Sequence, residues 1–481
     1  MKRYEQYAHE ITTLIKSQTL RPGERLPSVR RASASRKISP STVFEAYYLL
    51  EARGLIQARP RSGYYVSTLP KPAQAEPGTA LPRQQSTPVA ISDLVFEVLE
   101  STRQLDVVPL GSAFPSPSLF PLDKLARCLT PAMRQLTPDR MVEDLTLGNE
   151  RLRRQIGLRY VMAGAAVEME EIVITSGAME ALNLCLQAVT QPGDVVAVES
   201  PTFYSALQAL ERLNLRAVEV ATHPRDGVDL DSLAQVLQRH PVKACWFMPN
   251  FQNPLGSLMP DLRKQAMVDL LAKHEVPLIE DDVYGELYFG LSRPLPAKAY
   301  DRQGLVMHCS SFSKCLAPGY RVGWVAAGRF AQQVQRLKLM TTLATAIPSQ
   351  LAISDYLQRG AYERHLRQLR QILEAQQHRA LRLIAQYFPK GTRVTRPEGG
   401  YFLWLELPKE VDALQLHRLS LSQRISIAPG HLFSADRRFS HCLRLNYGYP
   451  GDERFEDALK TVGQLACTLA PEYPLTGYCQ A

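Results

Sequence analysis

Ser310-Ser311-Phe312-Ser313-Lys314, followed by Arg321-Val322-Gly323-Trp324, is the stretch on which the reading turns. A short polar turn presents one lysine, and an arginine follows seven residues later. A primary amine and a guanidinium in this order suit an aldehyde cofactor with a phosphate tail. The amine joins the aldehyde as an imine, and the guanidinium holds the phosphate. Serines and lysines also share ordinary surface loops, so the motif alone decides little. Three segments upstream add to it.

The first is Ile279-Glu280-Asp281-Asp282-Val283-Tyr284. The apolar run from Val276 to Ile279 reads as a buried parallel strand ending in carboxylates. Open α/β sheets place their ligands at such strand ends. Pyridoxal phosphate needs an acid beside its ring nitrogen, so that the protonated ring acts as an electron sink. Tyr284, three residues on, is in reach of the ring's phenolic oxygen. The second segment, Pro249-Asn250-Phe251-Gln252-Asn253-Pro254-Leu255-Gly256, follows the apolar strand Ala244 to Met248 and carries a turn signal. In a cofactor site the Asn253 amide would donate to the same phenolic oxygen. In the third, Ile172-Val173-Ile174-Thr175-Ser176-Gly177-Ala178, a β-branched strand enters a Ser-Gly turn and then a helix. Backbone N–H groups at a helix start bind anions, which makes Ser176, Gly177 and Ala178 candidates for a phosphate cradle. An isolated strand-end Asp or an isolated βα loop would be commonplace.

In this order the segments resemble the fold-type I aminotransferases, from about Leu110 to Tyr449. The resemblance implies an α/β fold: a large domain with a mixed, mostly parallel sheet, and a small α+β domain. It implies pyridoxal 5'-phosphate as cofactor, with Lys314 as the catalytic lysine that joins it. Asp281 would be the ring-nitrogen partner, Tyr284 and Asn253 the groups at the phenolic oxygen, and Ser311, Ser313 and Arg321 phosphate ligands. Glu199-Ser200-Pro201-Thr202-Phe203-Tyr204 is similar to the segment whose aromatic stacks on the cofactor ring, with Phe203 at that position and Tyr204 the second choice. Leu443-Arg444-Leu445-Asn446 resembles the segment whose arginine clamps a substrate carboxylate, a task that suits a guanidinium fork. Pro397 to Trp404 resembles the turn that opens the small domain. One position departs. Where the family often has a tyrosine before Gly148, reaching the neighbouring subunit's phosphate, this chain has Glu143. Either another group serves the phosphate or the loop is shifted.

The front of the chain is chemically different. Residues 1 to 70 hold 12 Lys+Arg and 5 Asp+Glu, so +7 of the total +9. A small basic module ahead of a near-neutral body suggests a polyanion partner. Tyr4, Tyr7, Ala8, Ile11, Leu14 and Ile15 recur at three and four and predict an amphipathic helix. Pro22-Gly23 predicts a turn, and Leu26-Pro27-Ser28 the cap of a second helix with Val29, Ala32 and Ala34 inward. Ser39-Pro40-Ser41-Thr42 opens a third helix, with Val43, Ala46, Tyr47 and Leu50 on one face and Arg53-Gly54 as its stop. Leu55 to Arg59 and Gly63 to Val66 predict a hairpin around Pro60-Arg61-Ser62. Three helices and a hairpin follow the order of a winged helix-turn-helix, whose third helix enters the major groove. The residues resemble the GntR-type winged helix, which implies that Arg30, Ser39, Ser41, Thr42, Arg61 and Ser62 touch DNA. That family turns on a glycine where this chain has Lys37. Taken together, the two parts resemble the MocR/GabR-like regulators, which fuse a GntR-type head to an aminotransferase-like body.

Pro70 to Ala90 holds five prolines and no aromatic residue, and predicts a semi-extended tether spanning up to about 60 Å at ~3.1 Å per residue. The expected domains are therefore 1–69 (winged helix), 70–90 (linker) and 91–481 (aminotransferase-like). Leu366, Leu369, Ile372 and Leu373 predict one long helix. The 8 cysteines form no C-x-x-C and no zinc-type Cys-His cluster, which suggests reduced thiols in a cytoplasm and no metal. No signal peptide or long apolar run appears, so no membrane partner is expected. The resemblance implies a homodimer acting on double-stranded operator DNA and sensing an amino acid or amine. A working aminotransferase with a DNA-binding head is the alternative.

Overall fold

The computed structural model describes residues 3–17, 19–21, 23–52, 55–59, 62–66, 74–100, 106–134, 136–137, 147–290, 292–450 and 453–470. Pro22, Arg53, Gly54, Pro60, Arg61, the first residues of the Pro-rich stretch, Glu143 and Cys479 lie outside these. The chain forms two compact units, one of residues 1–74 with 374–386, the other of residues 75–373 with 387–481.

In the first unit α1 (Arg3–Lys16), α2 (Val29–Arg36) and α3 (Pro40–Ala52) precede a hairpin of β1 (Ile56–Arg59) and β2 (Gly63–Val66). Tyr7, Ala8 and Ile11 of α1 bury against Val43, Ala46, Tyr47 and Leu50 of α3, at the spacing of one helical face. Tyr47 closes this small core. Its hydroxyl donates to the Pro27 carbonyl at 2.8 Å, and its ring meets Tyr64 of the hairpin edge-on at 5.0 Å. Ser28 caps α2 by accepting from Arg31 N–H at 3.3 Å. Ala32 is buried as expected, whereas Ala34 is exposed, because two residues along a helix turn the side chain about 200° and so to the opposite face. Lys37 adopts the left-handed conformation with φ 53°, so a lysine fills the turn that usually falls to glycine.

The second unit is built on a nine-stranded sheet among the described residues. Its path runs Thr87–Pro88, Arg216–His223, Val195–Ser200, Val242–Phe247, Leu278–Asp281, Val306–Ser311, Gly323–Ala326 and Ile172–Thr175. The five central strands from Arg216–His223 to Val306–Ser311 are mutually parallel. Gly323–Ala326 runs against both of its neighbours. Alternate residues of these strands enter two separate apolar clusters, one on each face. Burial on both sides explains why the strands read as unbroken apolar runs. A second, antiparallel sheet carries Arg393–Val394, Phe402–Glu406, Cys442–Asn446 and Ala428–Pro429 in that order. The fold is thus the mixed, mostly parallel α/β body with a smaller α+β part, behind a winged head. The expected long helix spans Ala361–Tyr387, with Leu366, Leu369 and Leu373 buried and Ile372 exposed.

The Pro-rich stretch is not a free tether over its described part. Thr87–Pro88 pair with Arg216–Ala217. Arg216 also donates to the Ser86 hydroxyl at 2.7 Å, and Gln84 donates to Ser232 at 3.0 Å. Composition correctly denied this segment a core of its own. It is ordered instead by pairing with an edge strand of the sheet, by these polar contacts, and by burial of Val89 in one of the apolar clusters. No helix among the described residues is long and apolar enough to cross a membrane.

Leu50 is wholly buried in the head. Leu50→Ala should destabilise that unit by about 2–5 kcal/mol. The check is amide hydrogen exchange of α1 and α3 in the full chain, with exchange in the body unchanged.

Candidate functional site

The register of three neighbouring strands sets Ser311, Gly323 and Thr175 in one row at the edge of the large sheet. The turns that follow carry Ser313 and Lys314 on one side and Ser176 and Gly177 on the other. A Cβ at Gly323 would lie 2.6 Å from the Gly177 carbonyl carbon and 2.7 Å from Ala178 N. The bare glycine therefore lets the start of the helix Ala178–Val189 settle onto the strand. Gly177 itself has φ 94°, a conformation glycine adopts freely. Arg321 reaches across this row. One terminal nitrogen donates to the Ser313 hydroxyl at 3.2 Å and the other to the Ser176 carbonyl at 3.1 Å. Ser311 accepts from Ser313 N–H at 3.4 Å. Ser176, Gly177, Ala178, Ser311, Ser313 and Arg321 are thus brought together around a guanidinium and a helix N-terminus, a donor set suited to a phosphate. Ser176 N–H is already engaged by the Glu180 carboxylate.

Lys314 projects from the same turn and is half-buried. Its Nζ donates to the Ala113 carbonyl at 2.8 Å and lies 3.6 Å from the centre of the Phe114 ring. Burial, helped by Arg444 and Arg321 and opposed by Asp281, lowers the amine from 10.5 to about 7. Asp281 ends the strand Leu278–Asp281 and is buried. Burial first, then the adjacent Asp282, raises its carboxyl to about 7. Its Oδ1 has no hydrogen-bond partner. An orphaned, buried carboxylate oxygen is costly, and a protonated ring nitrogen would satisfy it.

Asp282 behaves in the opposite way. Burial pushes its carboxyl up, but His308, Arg293 and Asn250 outweigh that and hold it below the usual range. His308 Nε2 lies 3.1 Å from Asp282 Oδ2, and Tyr160 Oη lies 2.6 Å from His308 Nδ1. Neighbouring residues of an extended chain point to opposite sides. One acid is locked into the scaffold and the other is left open to the site.

Asn253 and Tyr284 are both buried, and the Asn253 amide stands 3.5 Å from the Tyr284 hydroxyl. Burial raises the Tyr284 phenol above its usual range. Asn253 Oδ1 also accepts from Arg444 at 3.0 Å, which ties the phenolic-oxygen group to the carboxylate-clamp candidate. Arg444 lies on the strand Cys442–Asn446, opposite Trp404, with its guanidinium carbon 4.3 Å from the centre of the Phe402 ring. Its second terminal nitrogen donates to the Gly111 carbonyl at 2.7 Å, and its Nε is without a partner. Phe203 is half-buried at the start of the helix Tyr204–Arg212, while Tyr204 is buried against Phe433.

Sequence reasoning missed the loop Gly111 to Phe114, which supplies acceptors for both Lys314 and Arg444. It also missed Tyr401, whose hydroxyl donates to the Ala113 carbonyl at 3.1 Å. Gly-Ser before Ala-Phe-Pro was a loop signal, but nothing in it pointed to Lys314. Glu199, at the end of the strand Val195–Ser200, was quoted without a role. Burial raises it to about 8, and it accepts from Met248 N–H at 3.1 Å.

In the head, Ser39 caps α3: Thr42 N–H donates to its hydroxyl at 3.1 Å, and the Ser41 and Thr42 hydroxyls lie 2.8 and 2.7 Å from it. Arg30, Ser39 and Ser41 are exposed and Thr42 is half-buried. Ser62, in the hairpin, lies 2.6 Å from the Tyr65 hydroxyl. Arg61 is outside the described residues. Arg25, which sequence reasoning passed over, is exposed, and its guanidinium lies against Gly63 of the hairpin.

The fold and these residues define the class: an aminotransferase-like body behind a winged helix-turn-helix. Comparison with known proteins agrees. Residues 148–461 match the family "Aminotransferase class I and II", and residues 3–66 match "Bacterial regulatory proteins, gntR family". The chain is 49% identical over 465 residues to the HTH-type transcriptional regulator YdcR of Escherichia coli, covering 97% of this chain and 99% of that protein. It is 31% identical to the 2-aminoadipate transaminase of Thermus thermophilus, covering 77% of this chain and 92% of that enzyme. Among solved structures, LysN, the α-aminoadipate aminotransferase of Thermus thermophilus complexed with N-(5'-phosphopyridoxyl)-L-leucine, aligns with a TM-score of 0.71 at 27% identity, over 80% of this chain and 100% of that one. The chain therefore belongs to the MocR-type HTH transcriptional regulators, which join a GntR head to a class I and II aminotransferase domain. The cofactor that this fold implies is pyridoxal 5'-phosphate, and the orphaned Asp281 oxygen, the Gly177–Gly323 cradle and the Lys314 amine fit it.

The neutral amine is the form that takes up an aldehyde. With Lys314 lowered to about 7, cofactor uptake by cofactor-free protein should rise with pH and level off above neutrality. An amine at the ordinary 10.5 would keep rising through the alkaline range. Growth of visible absorbance after mixing, followed across pH, distinguishes the two.

Proposed function

We propose that this regulator senses an amino acid or amine through its pyridoxal-phosphate site and changes its affinity for operator DNA in response. The functional parts in this reading are the head at 1–69, the connection at 70–90 and the body at 91–481. It works as a homodimer on double-stranded DNA in the cytoplasm. One observation carries the reading. A lysine with its amine near neutrality and an aspartate with an unpartnered oxygen share a site in a chain whose first 70 residues hold most of its positive charge.

When bound, pyridoxal 5'-phosphate supplies an aldehyde that takes up amines and a ring that withdraws electrons. The chain's residues do the rest. Ser311, Ser313, Arg321 and the turn Ser176-Gly177-Ala178 hold the phosphate. Asp281 keeps a proton on the ring nitrogen. Asn253 and Tyr284 hold the phenolic oxygen, and Phe203 covers a ring face. Lys314 would be the amine that holds the aldehyde, and would be positioned to move a proton. Arg444 takes the effector's carboxylate through its free Nε and a terminal nitrogen, in the parallel geometry guanidinium favours. Arg30, Ser39, Ser41, Thr42, Arg61 and Ser62 serve DNA. The effector shifts DNA binding by as much as it prefers one conformation of the protein over the other. The retained lysine and arginine also keep transamination open as a second reading, and keto acid production from the amino acids that bind separates the two.

The test is a visible-absorbance titration of the loaded protein with a panel of amines and amino acids, run beside operator binding. Ligands that change the spectrum should be the ones that change DNA affinity. Lys314→Ala should lose the visible band and the ligand response while keeping its ligand-free DNA affinity. Arg444→Lys should weaken amino acids by roughly ten-fold or more, the loss of one charge-assisted hydrogen bond, and leave amines without a carboxylate unaffected.

A further inference from the structure

α3 is a helix of 13 residues with the sequence PSTVFEAYYLLEA, and none of them is Lys or Arg. It sits in a module whose first 70 residues carry +7. The element expected in the major groove thus offers no cation of its own, while Arg25, Arg30 and Arg31 lie exposed on other parts of the head. Coulombic attraction cannot be what α3 contributes to binding.

Two features remain on its outer face. One is the hydroxyl cluster of Ser39, Ser41 and Thr42 at its start. The other is aromatic: Phe44 is 54% exposed and Tyr48 67% exposed, one turn apart on the side opposite the buried Val43, Ala46, Tyr47 and Leu50. A helical side chain leans toward the N-terminus, so the Phe44 ring covers the first turn beside Ser41. Glu45 is exposed on the same side. A carboxylate there disfavours close approach of phosphates, so this stripe faces base edges and not the DNA backbone. The apolar group that the major groove presents is the C5-methyl of thymine.

We infer that Phe44 is a specificity-determining residue that packs on a thymine methyl in the operator, beside hydrogen bonds from Ser41 and Thr42. Affinity and selectivity then come from different elements: arginines of the surrounding head hold phosphates, and α3 reads bases through an aromatic ring and hydroxyls. This inference rests on the reading that the head binds DNA through α3.

The test uses the full-length protein. Its preferred duplex is selected from random sequence, and each thymine is then replaced singly by deoxyuridine, which removes the methyl group alone. At least one position per half-site should bind the unsubstituted protein about four-fold more weakly, the equivalent of one buried methyl. Phe44→Ala should bind thymine and uracil equally at that position, and Phe44→Leu should keep part of the preference. Phe44 is exposed, so neither change threatens the fold. A preferred site with no methyl-sensitive thymine, or a sensitivity that survives in Phe44→Ala, overturns the inference. So does a Phe44→Ala variant that changes the oligomeric state and leaves sequence preference intact, which would assign the stripe to a contact between copies. Failure of the underlying reading looks different: the unsubstituted protein would select no sequence and show no salt-dependent duplex binding.

Discussion

The site is organised by ionisable groups that folding has buried before their partners are complete. Lys314 lies in the fields of Arg444 and Arg321, with Asp281 opposing them. Asp281 keeps one oxygen unpaired, and Arg444 keeps its Nε unpaired although the residue is wholly buried. Each such group costs about 1–3 kcal/mol while it waits. In the proposed reading, a phosphate at Arg321, a ring cation at Asp281 and a carboxylate at Arg444 would supply the charges this arrangement lacks. A ligand that brings them binds the folded state and not the unfolded one, and therefore stabilises the fold in proportion to its occupancy.

Around the site, neighbouring charges of the scaffold are paired. Glu280 accepts from the backbone N–H groups of Ala297 and Lys298 at 2.6 and 2.9 Å. Asp282 is held by His308, Arg293 and Asn250. Glu286 is surrounded by Arg159 at 2.7 Å, Arg293 at 3.1 Å and Arg370 at 3.7 Å. Of the three consecutive acids Glu280, Asp281 and Asp282, the outer two fasten the strand end to its surroundings and the middle one is left for a ligand. Alternation along an extended chain makes this possible, since Asp281 faces away from the groups that neutralise its neighbours. The opposite directions in which burial and its counter-terms move Asp281 and Asp282 are the electrostatic result.

Residues at the mouths of strands were legible in the sequence because their signals are local. Lys314 follows a strand by three residues, Asp281 ends one, and Gly177 starts a helix, so apolar runs and turn residues located each of them. The wing and all three helices of the head were legible for the same reason. Long-range polar pairing was not. Arg444 meets the Gly111 carbonyl across 333 residues, and Lys314 meets Ala113 across 201. A backbone carbonyl has no side-chain signature to mark it as an acceptor. The Pro-rich stretch failed similarly: composition showed that it lacks a core, but not that Ser86 and Gln84 find Arg216 and Ser232. Lys37 shows what resemblance adds: the turn was placed there because the GntR-type family has a glycine at that position, and the chain meets it with a lysine at φ 53°.

The division of charge within the head bears on how regulation works. If the cations that hold phosphates lie outside α3, their contribution is the same on any duplex and weakens as salt rises. The hydroxyls and the aromatic ring of α3 act at short range and demand register, since a methyl group is felt only in contact. A small change in how α3 sits on its duplex would then forfeit the base contacts first and leave the phosphate contacts largely in place. An effector therefore need not expel the protein from DNA. It has only to favour the conformation in which α3 no longer fits its bases, and a differential affinity of about 1–3 kcal/mol is enough to move occupancy from the operator to the surrounding sequence.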